Sequence, residues 1–169
     1  DVCSIYLLDD DGETLRLQAT KGLSLSSVGK ITMKISEGLT GLVVEQRSVV
    51  SLENAQEHPR YKYFAETREE RYHSFLGIPM FERKHPVGAI VVQHREPRSY
   101  TATEISTLST IAYQISSIVM NARLLDSISR KDEERASLED ELRKIHSTPF
   151  PQKPASPEEK PRRAGDRLG

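Results

Sequence analysis

A chain of 169 residues with 24 Lys plus Arg and 25 Asp plus Glu is long enough to bury a core in one domain and carries almost no net charge. That balance offers no basic stripe with which to hold nucleic acid or an anionic membrane, so neither is an expected partner. The one cysteine, Cys3, excludes an intramolecular disulfide, and a reducing, cytoplasmic setting is expected.

The first stretch, DVCSIYLLD, is an alternating run of β formers with no signal peptide ahead of it. A chain that opens inside a strand without Met reads as a piece of something longer. Turn residues at 9–12 and the alternation of Leu15, Leu17 and Ala19 predict a hairpin over 1–20. Ile31, Met33 and Ile35 mark one face of a third short strand. Ser36 is the expected N-cap of a short helix over GLTGLVVEQR, with Glu37 in its first turn and Leu39, Leu42 and Val43 inward. Gly38 and Gly41 are poor helix formers and predict close packing or backbone approach.

SVVSL predicts a further strand, and SFLGIPMFERKHPVGAIVVQHRE two more around a turn at Lys84, His85 and Pro86. GAIVV is apolar on both faces, as in a central strand covered from both sides. Pro97 ends the sheet, and Thr101 or Thr103 caps a last helix from about 102 to 146. Residues 105–122 carry no charge over a bilayer-spanning length, but their many Ser, Thr, Gln and Asn side chains exclude a membrane segment. The last 21 residues hold five of the nine prolines and almost nothing apolar, which predicts a disordered tail. The reading is α+β, with a domain over 1–125, a helical linker over 126–147 and a tail over 148–169.

The run EGLTGLVVEQRSVV followed by SFLGIPM resembles the GAF domains, small-molecule sensor modules built on a six-stranded antiparallel sheet flanked by helices. The resemblance covers residues 1 to about 125. It implies a PAS-related fold with a long C-terminal helix, and an N-terminal helix that these residues would lack. HPRYKYFAETREERYHSFLGIP is similar, more narrowly, to the GAF domain at the amino end of the nitrogen-branch Enzyme I, a phosphoenolpyruvate–protein phosphotransferase. Ala65 and Arg68 stand where that family usually has Pro and Gly. The resemblance implies a sensor of nitrogen status through glutamine or 2-oxoglutarate, signalling to a downstream phosphotransferase domain. The family's active-site histidine and phosphoenolpyruvate-binding barrel lie downstream of its GAF domain, so no catalysis is expected within this chain.

Residues 58–73 form a long polar segment whose aromatics need apolar cover, which argues for an ordered lid. Arg60 and Arg71 could each hold a carboxylate bidentately, with Tyr63 or His73 completing the site and Ser74 and Phe75 opening the next strand. The plainer reading pairs Arg60, Lys62, Arg68 and Arg71 with Glu66, Glu69 and Glu70 at the surface. The five histidines show no metal-ligand spacing, and neither a metal nor a cofactor is expected. Cys3 lacks the second cysteine that sulfoxide reduction requires and reads as a small core residue. Phosphate-cradling and nucleophile-elbow motifs are absent.

Two functions remain: a ligand-sensing regulatory domain, or a ligand-free dimerisation and spacer module with Tyr63 or Phe64 folded into the pocket. On the last helix, Ile105, Leu108, Ile111, Ala112, Ile115, Ile118, Val119 and Ala122 share the face expected on the sheet. The other face carries small or uncharged residues. It makes Ser109, Ser116 and Asn121, continued by Leu125 and Ile128, the candidate homodimer interface.

Overall fold

The computed structural model describes residues 1–64 and 71–147, so the 65–70 part of the polar segment and the Pro-rich tail lie outside the described residues. Strands β1 (Val2–Leu8), β2 (Thr14–Lys21), β3 (Thr32–Lys34), β4 (Val50–Leu52), β5 (Ser74–Glu82) and β6 (His85–His94) form one six-stranded antiparallel sheet in the order β3-β2-β1-β6-β5-β4. Helix α1 spans Gly38–Gln46 and α2 spans Ala102–Ser147.

Asp11 closes the β1–β2 turn by accepting from the backbone N–H groups of Glu13 and Thr14 and from the Thr14 hydroxyl. These bonds hold its carboxyl well below the usual range. β6 lies between β1 and β5, and Val87 to Val91 are buried, as a strand apolar on both faces requires.

Alternation along the strands splits the core in two. On one side Tyr6, Leu15, Leu17, Phe75, Ala89 and Val91 pack with Leu39, Leu42, Val43 and Val44 of α1. On the other, Leu76, Ile78, Met80 and Ile90 pack with Ala112, and Ile105, Leu108, Ile115 and Val119 lie against them.

Three local expectations are corrected. Glu37, not Ser36, is the N-cap of α1; its side chain makes no bond to the helix, and its Oε2 instead accepts from the Lys34 N–H at 3.2 Å. A Cβ on Gly41 would stand 2.5 Å from the Ile35 carbonyl oxygen, so the helix seats directly on the chain that leads into it. The β5–β6 turn is Arg83–Lys84, with Arg83 at φ 55°, and His85 and Pro86 already belong to β6. Cys3 is exposed rather than core, since Val2, Ser4 and Tyr6 take the buried positions of β1. Neighbouring atoms still desolvate its sulfur enough to raise its pKa, the opposite of an activated thiol.

Thr101 caps α2 in a reciprocal box. Its hydroxyl accepts from the Glu104 N–H at 3.2 Å, while Glu104 accepts from the Thr101 N–H at 2.8 Å. Arg98 also pairs with Glu104. The phase of α2 differs from the expected one. Ser116 is 2% exposed and faces the sheet, its hydroxyl donating to the Ala112 carbonyl at 2.7 Å, while Ile118 is 67% exposed. Ile111 is exposed as well, and Ser109 is half-buried. Ser116 is therefore withdrawn from the candidate dimer interface.

The chain divides into a compact unit over Asp1–Asp126 and a second from Ser127 onward, which is helical through residue 147. No helix among the described residues is long and apolar enough to cross a membrane.

Candidate functional site

The segment after α1 returns across the sheet and encloses a small cavity between α1 and the sheet. β3 contributes Met33, α1 contributes Gly38, Leu39 and Thr40, and the returning segment contributes Tyr61, Lys62 and Phe64. Phe75 of β5 and Val91 and Gln93 of β6 form the floor. Phe75 and Gln93 are cross-strand partners, so one register position supplies an apolar and a polar group side by side.

The space left is about 20 Å³, enough for one water-sized group. Tyr61 and Phe64 pack against the core cluster and fill the rest. Gly38, at φ 65°, puts backbone without a side chain at the wall, where Phe64 and Lys62 come within 4.0 Å of a Cβ position.

Polarity is concentrated at two places. Thr40 and Gln93 are buried inside. At the mouth, Lys62 Nζ lies 3.0 Å from Glu37 Oε1 and 5.3 Å from the centre of the Phe64 ring. The hydrogen bond to Lys62 is the main cause of a lowered Glu37 pKa, which favours the carboxylate form of Glu37.

The residues expected to form a site do not converge. Phe75 lines the cavity. Ser74, its neighbour on β5, points to the opposite face and lies 3.1 Å from the Tyr100 hydroxyl. Arg60 is a strut: it donates to Glu45 Oε2 at 2.7 Å and to the Ile35 carbonyl at 3.1 Å, tying the returning segment to α1. Glu66, Glu69 and Glu70, its expected partners, lie outside the described residues. Tyr63 is 47% exposed and Arg71 lies at the surface. His73 acts through its backbone, which donates to the His94 carbonyl and accepts from the Ala55 N–H. Thr40, Lys62 and Gln93 are cavity residues that the sequence reading missed.

A larger groove of about 310 Å³ borders α2 on the other face, lined by Leu76, Val92, His94, Arg98, Tyr100 and Glu104 among others. Its polar groups satisfy one another: Arg98 with Glu104, and His94 with the Tyr100 hydroxyl at 3.1 Å. Leu76, Val92, Leu108 and Ile111 give it a largely apolar wall. No cluster of three or more His, Cys, Asp or Glu side chains among the described residues could hold a metal ion.

The family model for the GAF domain matches residues 1–120. The phosphoenolpyruvate-dependent phosphotransferase system protein of Escherichia coli (strain K12) is 40% identical over 124 residues, which are 73% of this chain and 17% of that protein. The GAF domain from an Acinetobacter phosphoenolpyruvate-protein phosphotransferase superposes with TM-score 0.67 at 38% identity, covering 75% of each chain. The corresponding GAF domain from Coxiella burnetii gives TM-score 0.71 at 37% identity, covering 75% of this chain and 76% of that one. The chain therefore spans about a sixth of the curated relative's length.

Proposed function

Because the chain belongs to the GAF domain family, and its relatives are GAF domains of phosphoenolpyruvate-protein phosphotransferases, we propose that it is the small-molecule-sensing regulatory domain of such an enzyme. The observation that carries this reading is the cavity under α1, which pairs buried polar groups, Thr40 and Gln93, with an aromatic cover and a charged mouth. A packed core has no use for an uncompensated amide, whereas a ligand site needs a few placed polar groups in apolar walls.

The ligand fitting such a site is a small metabolite bearing a carboxylate. Lys62 at the mouth is the cation placed to receive it, in the role first given to Arg60 and Arg71. Glutamine and 2-oxoglutarate head the list, so the signal is nitrogen status, passed along α2 to a downstream phosphotransferase domain in the cytoplasm. The chain itself neither accepts nor donates phosphate in this reading. It acts as a homodimer, joined along exposed apolar residues of α2.

One observation favours the second reading, a ligand-free dimerisation and spacer module. The closed cavity holds only about 20 Å³, with Phe64 against the core. The deciding experiment is a thermal-shift screen of the chain against amino acids, 2-oxo acids and cyclic nucleotides. A sensor gains melting temperature from its ligand by mass action, and a spacer gains none from any.

A further inference from the structure

The groove beside α2 lies on the opposite face of the sheet from the cavity, because Leu76, Val92 and His94 alternate with the Phe75, Val91 and Gln93 that floor the cavity. At about 310 Å³ it has room for a small molecule, whereas the cavity has room for little more than a water. Its polar groups are gathered together. Arg98 Cζ lies 4.9 Å from the centre of the Tyr100 ring, and the Tyr100 hydroxyl lies 3.1 Å from His94 Nδ1.

The contacts within this group engage one nitrogen of each cation-forming side chain. Arg98 uses Nη2 on Glu104, and its Nε and Nη1 make no bond among the described residues. The Tyr100 hydroxyl donates to the Val92 carbonyl at 3.3 Å. A carbonyl can only accept, so the one phenolic proton goes there and His94 Nδ1 must carry a proton of its own. The neutral ring then keeps its lone pair at Nε2, which makes no bond among the described residues. Protonation at Nε2 leaves the Tyr100 contact intact.

We propose that this groove is a second ligand site, taking a monocarboxylic acid with an apolar body, whose carboxylate is held between Arg98 and a His94 that gains a proton on binding. The apolar body lies along Leu76, Val92, Leu108 and Ile111. The charged and titratable groups facing His94 are Arg98 and Tyr100 ahead of α2, Glu104 on α2 and the amino group of Asp1. Burial, then the Asp1 amino group and Arg98, hold the His94 pKa below its ordinary value, so the ring is neutral until an acid arrives. A carboxylate offsets the push from Arg98 and accepts from the new Nε2–H. Glu104 cannot take that part, because Arg98 and the Thr101 backbone and hydroxyl occupy its oxygens.

The test is calorimetric titration of the whole chain with octanoate and with 1-octanol, in buffers of different ionisation enthalpy. It is repeated on Arg98→Met, His94→Asn and Thr107→Trp, with melts to confirm folding. Octanoate should bind at least about tenfold more tightly than octanol, which cannot make the charge-assisted bonds. Its heat should change with the buffer, and its affinity should fall as pH rises from about 6 to about 8. Arg98→Met should remove the preference over octanol, and His94→Asn the buffer dependence. Thr107→Trp, at an exposed position on the groove wall, should block octanoate by filling the space. Octanoate that binds no better than octanol, or that takes up no proton, overturns the assignment. So does octanoate that binds a folded Thr107→Trp chain as tightly as the parent. Each of these outcomes leaves ligand sensing at the cavity under α1 standing.

Discussion

Tyr100 reaches back over the sheet to place its hydroxyl 3.1 Å from Ser74 Oγ, one residue along β5 from the Phe75 that floors the cavity. The same hydroxyl lies 3.1 Å from His94 Nδ1 and donates to the Val92 carbonyl at 3.3 Å. Ser74 and His94 are cross-strand partners, and the adjoining pair is Phe75 and Gln93. One step of the strand pleat thus separates the cavity on one face from the anchor of α2 on the other. Burial raises the Tyr100 pKa and lowers that of His94, so both stay uncharged at neutral pH. Tyr100→Phe would leave the fully buried Ser74 hydroxyl without this partner, at a cost of about 1–2 kcal/mol. A thermal melt should show a loss of several degrees, and an unchanged melt would show that the hook contributes nothing.

Acid should weaken the cap of α2. Hydrogen bonds from the Thr101 backbone, then from Arg98 and the Thr101 hydroxyl, hold the Glu104 carboxyl down at about 2. An unfolded glutamate titrates near ~4.3, so the stabilisation is complete above that pH and is lost as pH falls toward about 2. Glu104→Gln keeps a side chain able to cap but removes the charge facing Arg98. The variant should melt below the parent at neutral pH and converge with it at the acid end of a pH series. Parallel curves throughout would show that the charge is not what matters.

Phe64→Ala separates the two functional readings. Removing a partly buried ring from the core cluster should cost about 1–3 kcal/mol in either case. In a sensor the same change removes an obstacle, so glutamine should bind more tightly to the variant than to the parent. In a spacer module stability falls and no compound gains affinity. Melting and titration of one sample answer the question.

Much of the fold was legible because it is written in local pattern. Alternation in VCSIYLL, LRLQA and TMK placed three strands, and the double-sided apolar run GAIVV placed the centre of the sheet. The cavity was not legible, because Met33, Thr40, Phe64 and Gln93 come from four separate segments that meet only in the folded chain. Charge in the polar segment drew the reading to Arg60 and Arg71, yet Arg60 struts α1 and Arg71 faces solvent. One signal was available. Gln93 falls in phase with Ala89 and Val91, a polar residue in the buried register of a strand. Ser116 was misplaced for the mirror-image reason: a hydroxyl that returns its proton to the carbonyl one turn earlier can be buried as an apolar group would be.

Correcting the phase of α2 moves the expected dimer seam. Ile111, Ile118 and Leu125 are exposed at seven-residue intervals, with Leu125 65% exposed. Gln114 and Asn121 occupy the alternate positions between them, and both are exposed. A heptad of this kind points to a left-handed pairing of helices, with Asn121 setting the register. The small-residue stripe cannot serve, because Ser109 is half-buried and Ser116 faces the sheet. The two faces therefore make opposite predictions. Ile118→Glu with Leu125→Glu should leave the melting temperature of the unit over 1–126 nearly unchanged while halving the mass seen by light scattering. Ser116→Glu forces a carboxylate against Ala112 and the sheet, and should destabilise the fold by several kcal/mol whatever its oligomeric state. A parent chain that scatters as a monomer at tens of micromolar, or a stable Ser116→Glu variant, would show that the helix presents a different face.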